Sequence, residues 1–266
     1  MKLSFTTLGC PDWSFEKILR EARAMGFDGI EIRGLEGKML AEEITQFFPE
    51  NKRATLDAVK AHGLVMCGFG TSVRFDNADQ FDAVVAEGMR AIEVCERMGI
   101  PAIRVFGDGF PAGEAEAAVI ARAARGISLL CAEGEKRGVD VYLETHGQFN
   151  TLERIQGVCD GVPHANFGIL WDVAHTDKTY GDDFMAFYGP MKTRIRHVHF
   201  KDHKRDATFT LCRVGMGDIP LKTIARTLQA DGYDGFVSLE WEKKWHPDLP
   251  EAEIAYPDFV KLMAEI

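Results

Sequence analysis

The sequence predicts a (β/α)8 barrel that occupies residues 1–266 as a single domain, and three observations lead to this prediction. Eight short β-favouring runs are each followed by a segment with helical periodicity. The strands begin about every 33 residues, which is the length of one βα unit, and about 250 residues suffice for a whole barrel. Strands that alternate with helices pair in parallel, and eight such units close on themselves. An open, doubly wound sheet is the alternative.

The individual elements follow from local patterns. Predicted strands lie at residues 3–7, 29–33, 64–69, 102–106, 139–144, 166–172, 196–201 and 236–240, and amphipathic helices include 15–25, 81–98, 115–136 and 221–230. Five glycines stand where a helix should end in a left-handed residue: Gly26, Gly63, Gly99, Gly138 and Gly232. The helix-to-strand turn at 24–31 is echoed at 230–236. No linker rich in Pro, Gly or Ser interrupts the pattern, which favours one domain.

Composition narrows the class of protein. The net charge of -10 disfavours a nucleic-acid partner, because such binding depends on Lys and Arg neutralising phosphates. No apolar run is long enough to span a membrane, and the N-terminal stretch lacks the apolar core of a secretory signal. Six scattered cysteines without a C-x-x-C pair fit free thiols in a reducing compartment, so we expect a cytoplasmic protein: Cys10, Cys67, Cys95, Cys131, Cys159 and Cys212.

Metal-binding residue types collect at the ends of the last four predicted strands. In this architecture the active site lies at the carboxyl ends of the strands. Glu144, Asp172, His199 and Glu240 occupy these ends, in the phase that points into the barrel mouth. Three carboxylates and one imidazole form an oxygen-rich set, which would repel itself without a cation. We therefore expect one divalent ion, with Mn²⁺ ahead of Mg²⁺, Co²⁺ or Zn²⁺.

Several other residues allow two interpretations, one functional and one structural. His146 and Lys201 share the inward phase, and they either contact substrate or support the carboxylates. Glu31 and Arg33 are expected to form a salt bridge on the second strand. Three tryptophans are interpreted either as walls of a sugar pocket or as ordinary core and rim residues: Trp13, Trp171 and Trp245.

The motifs at these strand ends resemble a known group of proteins. They are Leu143-Glu144, Trp171-Asp172-x-x-His175, His197-x-His199-x-Lys201-Asp202 and Leu239-Glu240. Together with the opening stretch at 7–11 and the turn at 26–31, they resemble the xylose isomerase-like TIM-barrel superfamily. This is the sugar phosphate isomerase/epimerase group, which is related to AP endonuclease family 2. The resemblance covers essentially the whole chain.

The resemblance implies roles for individual residues. Glu144, Asp172, His199 and Glu240 match the metal ligands of the ketose 3-epimerase members, whose first and last glutamates also move protons. His175 matches a histidine that contacts substrate oxygens. Arg213, which precedes Gly215-Met216-Gly217, is the candidate for a substrate-binding arginine, and Arg205 is its rival.

These expectations favour one reaction class. Two glutamates on one metal suit proton abstraction next to a carbonyl through an enediolate, with epimerisation or isomerisation of a keto-sugar or a polyol-derived ketone as the outcome. A dehydratase acting on a keto-sugar or keto-inositol is the alternative, and a non-catalytic sugar-binding or partner subunit is a third reading. A nuclease is disfavoured, since the additional histidines and the basic groove are missing. The expected partner is a small-molecule carbohydrate, and a homo-oligomer is compatible with all of these readings.

Overall fold

The computed structural model describes residues 1–266, and its backbone alternates between strands and helices along most of the chain. The strands are β1 (Lys2–Phe5), β2 (Gly29–Ile32), β3 (Val65–Arg74), β4 (Ala102–Phe106), β5 (Asp140–Glu144), β6 (Phe167–Asp172), β7 (Ile195–Phe200), β8 (Asp202–His203), β9 (Leu211–Cys212) and β10 (Phe236–Leu239). The helices are α1 (Phe15–Met25), α2 (Lys52–Ala61), α3 (Phe81–Met98), α4 (Glu116–Arg137), α5 (Leu152–Gly161), α6 (Val173–Tyr180), α7 (Met185–Met191), α8 (Leu221–Ala230) and α9 (Ala252–Ala264).

Eight parallel strands form the barrel, in the order β1-β10-β7-β6-β5-β4-β3-β2. A parallel bridge between Thr6 and Glu31 joins the two ends of this order, so the sheet curls into a nearly closed barrel. The predicted (β/α)8 fold is confirmed. The alternative of an open sheet is wrong, because strand order in a doubly wound sheet reverses at a switch point, whereas here it runs once around the ring.

The predicted strand positions are close to the observed ones. The strand at 102–106 is observed at the same residues, and the others differ by one or two positions except β3, which continues to Arg74. The pairing of β3 with β4 shifts register between Gly70 and Arg74. The apolar pattern of the sequence did not predict this irregular extension of the strand. The antiparallel pair β8–β9 was not predicted, since two-residue strands are too short to show a period.

Local chemistry explains the helix boundaries. At the start of α1 the hydroxyl of Ser14 accepts a hydrogen bond from the backbone N–H of Lys17 at 3.3 Å, and at its end Gly26 adopts φ 85°. All five glycines predicted to end helices have positive φ. The buried side of α1 carries Ile18, Leu19 and Ala22, which pack against the barrel. No helix combines the length and apolar character needed to cross a lipid bilayer.

Alternation along β7 and β10 separates a polar interior from an apolar layer under the helices. Val198 and Phe200 are buried in the apolar core, while His197, His199 and Lys201 have the opposite phase. On β10 the same alternation directs Ser238 inward, where its hydroxyl lies 2.5 Å from that of Ser4. The polar side chains of β7 and β10 therefore line the inside of the barrel as far as the carboxyl ends of these strands.

Candidate active site

Four metal-ligand residues converge at the carboxyl ends of neighbouring strands. Glu144 ends β5, Asp172 ends β6, His199 is the penultimate residue of β7, and Glu240 follows β10. Parallel pairing places Asp172 opposite His199 in register. One potential ligand atom from each residue lies within 4.8 Å of the others, and all four side chains are buried. The residues that sequence analysis assigned to one metal are thus brought together.

His199 has one ring nitrogen fixed and the other directed at the cluster. Its Nε2 lies 3.0 Å from both carboxylate oxygens of Glu31. Its Nδ1 has no hydrogen-bond partner, and it lies 3.5 Å from Glu240 Oε1 and 3.9 Å from Glu144 Oε1. A carboxylate that accepts from one nitrogen of a histidine orients the other nitrogen toward a metal. This arrangement fits a metal ligand.

Two carboxylate oxygens in the same cluster are also buried without a hydrogen bond, Asp172 Oδ2 and Glu144 Oε2. In Asp172 the two oxygens have different roles. Oδ1 accepts hydrogen bonds from the backbone N–H groups of Ala174 and His175, at 2.8 and 3.1 Å, and so caps α6, while Oδ2 faces the cluster. Buried polar atoms without partners are uncommon and costly in folded proteins. Arg104 and Lys201 approach these two oxygens without forming aligned hydrogen bonds. A divalent cation among the oxygens would complete their coordination, so the donor set fits the expected metal.

Lys201 supplies positive charge beside the cluster. Its Nζ lies 2.9 Å from Asp172 Oδ2, 2.6 Å from Glu240 Oε2 and 2.6 Å from Glu242 Oε1. Burial lowers the pKa of Lys201, but the three carboxylates outweigh it and raise the pKa well above its usual value. The contact with Asp172 is a close approach of opposite charges rather than an aligned hydrogen bond. The acidic cluster is therefore partly neutralised by the chain itself, contrary to the expectation that it would repel itself without an added cation.

The two glutamates differ in their electrostatic surroundings. Burial raises the pKa of Glu144, because the charge of Arg104 only partly offsets the loss of water. Burial acts on Glu240 in the same direction, but Lys201 and His199 outweigh it and hold the pKa of Glu240 well below its usual range. The surroundings of the two carboxyl groups thus shift their pKa values in opposite directions.

Two buried arginines lie near the cluster, and the sequence analysis assigned neither of them to the site. Arg104 Nε lies 2.8 Å from Glu144 Oε2, and its Nη1 donates to the backbone oxygen of Thr71 at 2.9 Å. Arg33 is also buried, and its Nη2 donates to Ser72 Oγ at 3.1 Å. A signal existed in the sequence, since Arg104 is the lone charge in the apolar run at 102–106.

Two cavities that share lining residues adjoin these side chains. The inner cavity, of about 120 Å³, is lined by Arg33, Arg104, Glu144 and Glu240 among others. The outer cavity, of about 640 Å³, is lined on one side by His175 and Lys201 and on the other by the loop at 208–211. The two cavities share three lining residues: His146, Glu242 and Trp245.

His146 and His175 stand together where the inner cavity meets the outer one. Their ring centroids are 4.3 Å apart, and His146 Nδ1 lies 2.9 Å from Asp108 Oδ1. Burial, together with the positive charge of Lys201, lowers the pKa of His175 well below its usual value, so this ring is neutral at physiological pH. A neutral imidazole both donates and accepts hydrogen bonds, which suits contact with hydroxyl groups.

The structure places other predicted residues elsewhere. Arg213 Nη1 pairs with Asp258 Oδ2 at 3.2 Å, and Arg213 lines neither cavity. Its rival Arg205 pairs with Asp177 at 2.7 Å. Both guanidinium groups thus bind carboxylates outside the cluster.

The expected salt bridge between Glu31 and Arg33 is absent. Residues 31 and 33 are two positions apart, so a strand directs both side chains to the same face. Glu31 nevertheless extends into the barrel interior, where His197 Nε2 lies 2.9 Å from its Oε2. Of the tryptophans, Trp245 lines both cavities and is 53% exposed, whereas Trp13 and Trp171 are buried in the core. Only one of the three can therefore form a wall of the pocket.

A model of a protein family described as "Xylose isomerase-like TIM barrel" matches residues 19–259. The chain belongs to this family. Within curated proteins it resembles the fructoselysine 3-epimerase of Shigella flexneri, with 23% identity over 259 residues and 90% of each chain covered.

Solved structures of the family superpose along almost the whole chain. The probable 3-DHS dehydratase AsbF of Bacillus anthracis gives a TM-score of 0.82 at 19% identity, with 99% of both chains covered. The IOLI protein with a bound zinc atom gives 0.82 at 18% identity, covering 100% of this chain and 99% of the other. At these identities the structural likeness establishes the fold shared across the family, and activity is a separate question.

Proposed function

We propose that this protein is a divalent-metal-dependent epimerase or isomerase of a keto-sugar or polyol-derived ketone, acting by proton abstraction next to the carbonyl. The observation that carries the proposal is the placement of Glu144 and Glu240. Both carboxylates approach Nδ1 of His199, at 3.9 and 3.5 Å, and both line the inner cavity. Similarity to a fructoselysine 3-epimerase supports the same class of reaction.

The metal would be held by Glu144, Asp172, His199 and Glu240, the set that contains buried ligand atoms without hydrogen bonds. A divalent cation bound there supplies Lewis-acid stabilisation of the negative charge that develops on the carbonyl oxygen. The oxygen-rich set favours Mn²⁺, while similarity to a protein with bound zinc keeps Zn²⁺ among the candidates.

The acid–base steps fall to the two glutamates. One carboxylate removes the proton from the carbon next to the carbonyl, and the other returns a proton on the opposite side or at the neighbouring carbon. Glu144 and Glu240 come from strands on the two flanks of β6 and β7, so they reach a bound substrate from different directions. His146 and His175 would position its hydroxyl groups, and the charge of Lys201 favours the ionised forms of Asp172 and Glu240.

A dehydratase is the second candidate, and the contact between His146 and Asp108 favours it. A histidine held by a carboxylate at 2.9 Å, two residues from Glu144, is placed to give a proton to a leaving hydroxyl group. The similarity to a probable 3-DHS dehydratase agrees with this reading. Abstraction next to the carbonyl is common to both candidates.

The experiment is a screen of the metal-supplemented protein over ketoses, keto-inositols and 3-keto sugars in D₂O, followed by proton NMR. We expect deuterium to enter the substrate at the carbon next to the carbonyl, with a new epimer or isomer as product. Loss of water from the substrate would identify the dehydratase instead. Binding without exchange, with every metal tried, would contradict both candidates and favour a non-catalytic sugar-binding protein.

A further inference from the structure

Arg33 carries a buried positive charge that the protein leaves without an ion pair. Its side chain follows β2, is only 8% exposed and lines the inner cavity. Nη2 donates to the neutral hydroxyl of Ser72 at 3.1 Å, and Nη1 has no hydrogen-bond partner. A buried charge without a partner costs stability, so such a group is usually paired or kept for a ligand.

Arg104 lies beside Arg33 in the same cavity. A Cβ atom on Gly70 would lie 2.7 Å from Arg33 Cδ and 2.8 Å from Arg104 Nη2, so the absence of a side chain at Gly70 lets both arginines pass over β3. Burial and the charge of Arg104 lower the pKa of Arg33 to about 10, which still leaves Arg33 charged at neutral pH. Arg104 is neutralised by Glu144 at 2.8 Å. Arg33 forms no ion pair of its own, although Glu240, Glu144 and Glu87 are near enough to favour its charged form.

The arginines and the metal ligands come from different strands of the barrel but share the inner cavity. Arg33 follows β2 and Arg104 lies on β4, whereas the four predicted ligands come from β5, β6, β7 and β10. Glu144 and Glu240, which would act on the reacting carbon, line the same cavity of about 120 Å³ as the two arginines. A substrate that places its reacting carbon at the glutamates is therefore within reach of the arginines.

We propose that Arg33 and Arg104 bind a carboxylate of the substrate, so that the substrate is a keto-sugar acid rather than a neutral sugar. This inference rests on the proposed function, of which it specifies the substrate class. Guanidinium groups match a carboxylate with paired, charge-assisted hydrogen bonds. One guanidinium without an ion pair, with Nη1 unpartnered, suits the single charge of a carboxylate better than a phosphate group, which carries about -1.5 to -2 at neutral pH.

The test compares three ketoses that differ only at the terminal carbon: D-fructose, D-fructuronate and D-fructose 6-phosphate. Binding to the Mn²⁺-loaded full-length protein is measured by calorimetry, and deuterium incorporation is followed separately by NMR. We expect D-fructuronate to bind at least tenfold more tightly than the other two. In Arg33→Gln the affinity for D-fructuronate should fall by about 10–100-fold, the effect of losing a charged hydrogen-bond donor, with D-fructose unaffected.

Two further variants control for folding and for charge. Arg33→Lys keeps the positive charge and should retain part of the preference for D-fructuronate. Arg196→Gln removes an exposed arginine near the opposite end of β7, and it should bind like the unaltered protein. Circular dichroism and metal content of each variant show whether the fold and the metal site persist.

The two measurements separate the two proposals. Equal affinity for D-fructose and D-fructuronate, absence of D-fructuronate binding, or undiminished binding in Arg33→Gln would overturn the carboxylate site, even if deuterium exchange proceeds. Tighter binding of D-fructose 6-phosphate would also overturn it, in favour of a phosphate. Arg33-dependent binding of D-fructuronate without exchange of any ketose would uphold the anion site and contradict the proposed function.

Discussion

The carboxylate of Glu31 holds the imidazole of His199 from below, with Nε2 of the histidine 3.0 Å from both carboxylate oxygens. These residues are 168 positions apart in the sequence, and the contact crosses the barrel interior between β2 and β7. It leaves Nδ1 of His199 facing Glu144 and Glu240. The position of one expected metal ligand thus depends on a side chain from the opposite part of the sheet.

We predict that Glu31→Gln weakens metal binding by about 10–100-fold, because the carboxylate that orients His199 and increases its basicity is lost. Titration with Mn²⁺ or Zn²⁺, compared with thermal stability, measures the effect. Ser238→Ala is the matched control, since Ser238 Oγ contacts Nε2 of His197 rather than His199. Unchanged metal affinity in Glu31→Gln would show that Glu31 serves only the packing of the barrel interior.

Asp172→Asn should remove the metal while leaving the fold intact. The amide oxygen of Asn can still accept the hydrogen bonds from Ala174 and His175 that begin α6, but it lacks the charge needed for a strong metal ligand. Metal analysis of both proteins purified without chelator, alongside circular dichroism, checks this. Equal metal content in the two proteins would rule out the four-residue set.

Glu144→Gln and Glu240→Gln should each lower turnover by about 10²–10⁴-fold, the usual effect of losing a positioned general base. Glutamine preserves size and one oxygen ligand, so part of the metal should remain. One of the two variants keeps the carboxylate that abstracts the proton and loses the one that returns it. This variant should still exchange the substrate proton with D₂O without forming product. Near-normal turnover in both variants, with metal bound, would make His146 the better candidate for the base.

The thiols should react slowly in the folded protein at pH 8. Burial raises the pKa of Cys10 to about 12 and that of Cys159 to about 11, so the reactive thiolate forms only as the pH rises toward these values. Burial also raises the pKa of Cys212 to about 11, but Cys212 is partly exposed and should be labelled first. Alkylation followed by mass spectrometry at pH 7, 8 and 9 measures the order. Cys212→Ser should abolish the early labelling, and rapid labelling of a buried cysteine would contradict the prediction.

We also predict that residues 1–137 do not fold alone, because half a barrel leaves strand edges uncovered. Limited proteolysis and circular dichroism of the isolated fragment test the proposal of one domain. A protease-resistant fragment of this length with native-like helix content would indicate two domains instead.

The strands and the metal-ligand cluster were predictable because their signals are local. Each strand is an apolar run, and the position of Glu144 or Asp172 at the end of such a run is visible without knowledge of its neighbours. A barrel then makes the strand ends meet, so the convergence of the four residues follows from the topology.

The charged groups around the cluster were harder to predict. Glu31 was expected to pair with nearby Arg33, but its partners lie more than 160 residues away, across the barrel. Arg213 was placed at the substrate by its position before a G-x-G turn, yet the loop after β7 brings it to Asp258 on α9. Such pairings depend on loop paths and on contacts across the barrel, which sequence periodicity does not encode.

The ammonium group of Lys201 among the carboxylates has a consequence for how the protein matures. Lys201 and Arg104 already offset negative charge inside the barrel mouth, so we expect the chain to fold before any ion is bound. Folding and loading with the proposed metal would then be separate events. The fraction of molecules that carry the proposed ion would follow the supply of free metal rather than the yield of folding.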